Sequence, residues 1–215
     1  MRAYAHRLGQ AYFSWCERFP WSSGFAVCAL KGGFSDVFAQ RIVEGESGLD
    51  ANRTIIFSTF SGWYCGWFQH FVYNLAYTRL YGRGSDFGTV AKKIASDHFG
   101  HVPFICLPTY YLWQESLLVP LKQDGVSFPR WGAEMVRDAY SRWRDEALGV
   151  MIAFWKLWTP AHIITFGFAP EPLRITWVAL VSAVWLVICS VLTHEKFHQG
   201  DDHKKEKSRT AIAQG

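Results

Sequence analysis

Apolar stretches of roughly 20 residues, the length that crosses a bilayer core, alternate along the chain with short runs that hold most of its charges. The clearest stretch runs from Ile175 to Leu192, "ITWVALVSAVWLVICSVL", with no charge inside it, Arg174 before it and "THEKFH" after it; it reads as a transmembrane helix. A second, Ala147 to Phe168, is apolar apart from Lys156 and His162, and a third, Thr54 to Tyr77, has only His70 as a titrating group other than tyrosine and cysteine. Two weaker stretches are Pro20 to Gln40, with Lys31 and Asp36, and Phe99 to Leu121, with His101, Glu115 and three prolines. The pattern predicts an all-α integral membrane protein, a bundle of four to five transmembrane helices.

Between these stretches lie polar connectors at Arg41 to Arg53, Leu80 to Ser96 and Lys122 to Glu146. In the last, Trp131, Met135, Val136, Ala139 and Trp143 recur at helical spacing, with Arg137, Asp138, Arg142 and Arg144 turned elsewhere. An amphipathic helix lying in the membrane interface, its two tryptophans at headgroup depth, fits that spacing; an ordinary surface helix fits it equally. From Lys196 the sequence turns polar, so the expected organisation is one transmembrane helical domain over 1–195 and a polar tail over 196–215. Lys and Arg are spread too evenly among the connectors to give sidedness.

Composition narrows the class further. Eleven tryptophans and 17 phenylalanines in 215 residues are far above ordinary usage, as an aromatic-rich membrane exterior would require. The net charge of +4 is too small, and the basic tail segment too mixed with acids, to argue for nucleic acid. Five dispersed cysteines form no CxxC pair and read as small buried hydrophobes. The N-terminus "MRAYAHRLGQAYFSWCERF" is basic and has no acid before Glu17, which faintly resembles a mitochondrial presequence.

Small residues at fourfold spacing indicate how helices pack. Gly24, Cys28, Gly32, Asp36 and Gln40 form one such row, and Ser58, Gly62, Gly66 and His70 another. Such rows make shallow grooves in which two backbones approach closely. Packing the two rows together is expected to bring Asp36 or Gln40 into one interior with His70, since ionisable groups within the membrane face a bundle interior. Trp155, Trp158 and His162 share a helix face, Lys156 points away from it, and "FAPEPLR" forms a rigid hairpin before Arg174.

Five blocks resemble, in order and spacing, the Mpv / peroxisomal membrane protein 22 family of small organellar membrane proteins: "SDVFAQ" (35–40), "DANR" (50–53), "GWFQHFVYNL" (66–75), "KIASDHFGHVP" (93–103) and "WKLWTPAHIITFGFAPEPLRITWVALVSAVW" (155–185). The resemblance extends over roughly residues 12 to 192 and implies that Tyr73, Lys93, Pro103, Trp155, Trp158, Phe166, Pro170 and Trp185 belong to the family signature. The chain departs from it at Ser35, Trp67, His98, His162 and Thr165, where the family favours glycine, proline, glutamine, glutamine and asparagine, so it resembles a divergent member. The resemblance implies a weakly selective pore or solute-permeability factor, with a mitochondrial inner membrane location expected and a peroxisomal or other organellar membrane as the alternative.

Two functional readings follow. In the first, Asp36, Gln40, His70, Asp97, His162 and Arg174 line a polar path through the bundle. In the second, the chain is a non-catalytic structural or accessory subunit of a larger organellar assembly such as a respiratory complex, its aromatic exterior meeting lipid, other subunits or further copies of itself. Enzymatic motifs are absent: there is no nucleophile elbow, phosphate-cradling loop or dinucleotide fingerprint. Asp97, His98 and His101 form a "DHxxH" cluster, with two histidines at i, i+3. Two imidazoles and one carboxylate make only part of a metal site and no second motif completes it, so neither a metal nor another cofactor is expected.

Overall fold

Prolines, glycines and short capping side chains set the helix boundaries. The computed structural model describes residues 2–45, 47–124 and 129–185, and among these there is helix and connecting turn but no strand. Helix α1 is Arg2–Arg18. Pro20, whose missing N–H costs nothing in a first turn, opens α2 over 20–43. Asp50 accepts from the Arg53 amide at 3.0 Å and caps α3, which runs over 51–81 and stops at Gly82, where φ is +84°. Asp86 accepts from the Thr89 amide and caps α4 over 87–124. Helix α5 is Ala133–Gly167. After the short turn Glu171–Leu173, α6 is described over 174–185. The remainder of the span expected to end at Leu192, and the polar tail, lie outside the described residues.

The seven-residue connection between α2 and α3 forces them antiparallel, and the rows of small residues form their contact. A methyl group on Gly66 would lie 2.6 Å from the Gly24 carbonyl oxygen, and one on Gly32 would lie 2.6 Å from Ser61 Cβ. Gly62 lies against the Phe25 ring, and Gly33 faces Ser58. Gly24, Gly32, Ser58, Gly62 and Gly66 therefore all lie on this interface. The antiparallel arrangement corrects one expectation. Asp36 lies beside Arg53 at one end, whereas His70 meets Trp21 at the other, with ring centroids 4.8 Å apart. At about 1.5 Å per residue the two sites are separated by roughly 25 Å of α3.

Helix α4 begins twelve residues before the apolar stretch that Phe99 opens, because Asp86 supplies an N-terminal cap inside what reads as a polar connector. It passes through Pro103 by widening: over Asp97–Cys106 the backbone adopts π-type turns, which relieve the clash of a proline ring with the carbonyl four residues earlier. The freed Pro103 carbonyl oxygen accepts from Trp143 Nε1 at 2.9 Å.

The amphipathic segment does not form a separate helix in the interface plane. It is the first half of α5, a continuous helix of 35 residues and thus roughly 50 Å long. Nothing between Arg144 and Leu148 breaks the helix, and Gly149 alone costs only about 1 kcal/mol. The apolar face of that half packs on α4: Ala139 and Met151 join Val102, Leu107 and Tyr111 in one cluster. Arg142 Nη1 meets Glu115 Oε1 at 2.9 Å, and the Tyr111 hydroxyl donates to Glu146 at 2.9 Å. Trp143 thus faces α4, while Trp131 is exposed.

Among the described residues α5 is the one helix long and apolar enough, by length and composition, to cross a bilayer. Only 22% of its most apolar window is buried within the protein, so Leu148, Ile152, Ile163 and Ile164 present an outer face. Its inner face, with Trp158, Ala161 and Phe166, packs with Tyr73 and Tyr77 of α3, Val90 of α4 and Val178 of α6. The basic N-terminal segment, as α1, docks through Tyr12, whose hydroxyl lies 2.6 Å from Thr176 Oγ1.

Candidate functional site

The six polar residues expected along a common path fall into three separate pairs, each with its own partners. Asp36 and Gln40 form the first. Asp36 Oδ1 accepts from Arg53 Nε at 2.8 Å, and its Oδ2 accepts from Gln40 Nε2 at 2.7 Å and Thr54 Oγ1 at 2.8 Å. Gln40 Oε1 accepts from the Asp50 amide at 2.8 Å, and Arg53 also grips Glu44 through two bonds of 2.7 and 2.8 Å. This closed network clamps the turn between α2 and α3.

His70 and Arg174 form the second pair, through Asn74, which sequence reasoning had passed over. Asn74 Nδ2 donates to His70 Nδ1 at 3.0 Å, and Arg174 Nη1 donates to Asn74 Oδ1 at 3.4 Å. The signal was present, since Asn74 follows His70 by one helical turn. Lys93 is wholly buried, yet its Nζ has no hydrogen bond among the described residues.

Asp97 and His162 form the third pair and come into direct contact. Asp97 has no exposed surface, and its Oδ1 accepts from His101 Nδ1 at 2.8 Å. Its Oδ2 lies 3.0 Å from His162 Nε2 and 3.8 Å from His98 Nδ1. Neither approach has hydrogen-bond alignment, and Asp97 Oδ2, His98 Nδ1 and both ring nitrogens of His162 lack an aligned partner among the described residues, although the Tyr73 and Tyr77 hydroxyls also interact with the Asp97 carboxylate. The other nitrogens are engaged: His98 Nε2 lies 3.0 Å from Thr159 Oγ1, and His101 Nε2 lies 3.1 Å from the Tyr64 hydroxyl.

The "DHxxH" residues therefore do not act as one face. The widened turns of α4 direct His101 back to Asp97 and toward α3, while His98 projects to α5 against Phe154 and Thr159. The third residue of the converging set comes from α5, 65 positions after Asp97 in the chain, and spacing alone could not connect them. Aromatic rings enclose it: Tyr73, Trp158 and Phe166 have ring centroids 5.5, 5.1 and 5.4 Å from His162.

Of the remaining signature residues, Tyr73, Lys93, Trp158 and Phe166 are buried around this interior. Pro103 shapes α4, and Trp155 stacks obliquely on Phe99. Pro170 begins the turn before α6, and Trp185 packs on the core that contains Tyr73.

The family model described as Mpv17 / PMP22 family matches residues 132–190, a stretch that includes Thr159, His162 and Arg174. Neither the curated proteins nor the solved structures give a match.

Proposed function

We propose, from the match of the Mpv17 / PMP22 family model to residues 132–190, that the chain is a divergent member of that family of organellar membrane proteins and works as a weakly selective solute-permeability factor. In this reading helices α2 to α6 are the spans, and the organelle membrane is the mitochondrial inner membrane, favoured over the peroxisomal one by the basic N-terminal sequence. The observation that carries the proposal is the interior shared by α3, α4, α5 and α6. Lys93, Asp97, His98, His162 and Arg174 are all buried there, and each keeps at least one polar atom without a protein hydrogen bond. Ionisable groups held inside an apolar bundle mark solute or ion routes, because unsatisfied polar atoms favour water and polar solutes.

The clamp at Asp36 is satisfied by protein partners, so the route runs past Lys93, Asp97 and Arg174. The test is conductance of the full chain, verified as folded, in a planar bilayer. Conductance whose ion preference changes in Lys93→Gln is expected; silence from folded protein overturns the proposal.

The accessory-subunit reading draws on the outer surface, where Trp63, Trp67, Phe71, Phe99 and Phe104 are exposed. They suit other subunits as well as lipid. Comigration with a large complex after gentle detergent extraction favours that reading, and a small homogeneous particle favours the permeability factor.

A further inference from the structure

We propose that Asp97, His98 and His162 bind one divalent transition-metal ion of the zinc type, with His101 holding the carboxylate in position. One donor atom from each of the three residues lies within 4.8 Å of the others, and all three residues are buried. Around a tetrahedral ion with bonds of 2.0–2.1 Å, donor atoms stand about 3.3 Å apart. Two of the three separations, 3.0 Å from Asp97 Oδ2 to His162 Nε2 and 3.8 Å to His98 Nδ1, bracket that value.

Charge points the same way. Asp97 is a fully buried carboxylate whose ion-pair contacts among the described residues are all with histidines, and none is with lysine or arginine. A buried anion needs a cation. A protonated His162 is the competing cation, at 3.0 Å but without hydrogen-bond alignment, and the Tyr73 and Tyr77 hydroxyls also interact with the carboxylate. A metal ion placed between Asp97 Oδ2 and His162 Nε2 uses the lone pairs of both.

The surroundings have the form of an outer ligand shell. A metal-bound imidazole ordinarily donates its other N–H to a neighbour; His98 meets this requirement through Nε2 and Thr159 Oγ1 at 3.0 Å, whereas His162 Nδ1 has no such partner among the described residues. His101 donates through Nδ1 to Asp97 Oδ1 at 2.8 Å and accepts at Nε2 from the Tyr64 hydroxyl at 3.1 Å, which leaves Oδ2 as the outward donor atom. Three protein ligands with a position left for water or solute are the pattern of an open site. The proposal is independent of the permeability reading, since a closed accessory subunit could hold the same ion.

The test uses the full chain in detergent, with His194→Gln, His198→Gln and His203→Gln removing adventitious chelation by the tail. The stripped protein is titrated with Co²⁺ and its visible d–d absorption followed. About one equivalent in a four-coordinate spectrum, displaced by Zn²⁺, is expected. His98→Gln and His162→Gln should each abolish the spectrum, and His101→Gln should weaken affinity roughly 10- to 100-fold, as loss of an outer-shell partner does. Folded protein that takes up no Co²⁺, or retention of the spectrum by both ligand variants, overturns the site. If a variant fails to fold, X-ray absorption of the loaded parent decides. Imidazole scattering with N/O bonds of about 2.0–2.1 Å upholds the proposal, and sulfur ligation or an all-oxygen shell overturns it.

Discussion

Gly66→Ala tests whether the close contact of α2 with α3 is a determinant of the fold. The added methyl would lie 2.6 Å from the Gly24 carbonyl oxygen, 2.6 Å from Phe25 Cα and 2.7 Å from the Gly24 carbonyl carbon. All three atoms are backbone, so no side-chain rotation relieves the contact. Attractive contact begins at about 3.5 Å, so α2 must move away by nearly 1 Å, loosening Gly32 against Ser61 and Gly62 against Phe25 as it does. Overpacking of this kind costs about 1–3 kcal/mol. The better helix propensity of alanine returns at most about 1 kcal/mol, which leaves a net loss of about 0–3 kcal/mol. For a chain of this size each kcal/mol lowers the melting temperature by roughly 2–4 °C. Gly149→Ala is the matched control, because a methyl there meets nothing within 4 Å, and it should be neutral or stabilising. The assay is thermal unfolding of the purified chain in one detergent, followed by circular dichroism. Gly66→Ala as stable as Gly149→Ala, in place of the deficit of about 1–3 kcal/mol that overpacking predicts between them, refutes the reasoning.

Three further outcomes follow from single contacts. Arg53→Ala leaves Asp36 buried without its cation; breaking such a pair costs about 3 kcal/mol, near the low end of the usual range because Gln40 and Thr54 still donate to Asp36, and chemical unfolding should register it, with Arg53→Lys recovering part. Trp143→Phe removes the bond to the Pro103 carbonyl and should cost about 1 kcal/mol in the same assay. At Asp86, hydrogen bonds from the Thr89 side chain and amide hold the carboxyl below its ordinary value. Its contribution is therefore complete above the ordinary carboxylate range and fades as pH falls through the lowered value; melting curves over that acid range should converge for Asp86→Asn and the parent.

Rows of small residues at fourfold spacing carry their meaning locally, which is why the α2–α3 contact was legible in the sequence. Its polarity was legible too, had the shortness of the connection been weighed: a seven-residue turn allows only an antiparallel pair, and that places Asp36 beside Arg53 instead of His70. The flat interfacial helix was misread for a related reason. Amphipathicity shows that one face of a segment is covered, but not by what, and here α4 covers it without interrupting the helix that continues to Gly167. The direction of His98 was not legible at all. Spacing arguments assume four-residue hydrogen bonding, and the widened turns around Pro103 alter which side chains share a face.

The buried polar groups of α4 and α5 also bear on why this interior exists. A buried donor or acceptor left unsatisfied costs about 1–3 kcal/mol. Lys93 Nζ, Asp97 Oδ2, His98 Nδ1 and both ring nitrogens of His162 all lack an aligned partner among the described residues. Packing does not require them: the surrounding cluster of Tyr73, Trp158, Phe166 and Val178 would close over apolar side chains of similar volume at lower cost. The clamp at Asp36 is the internal contrast, because there every charged group is matched and the network accounts for itself as structure. On the proposed readings, the interior of α4 and α5 is instead held for what those atoms bind, a polar solute or a metal ion.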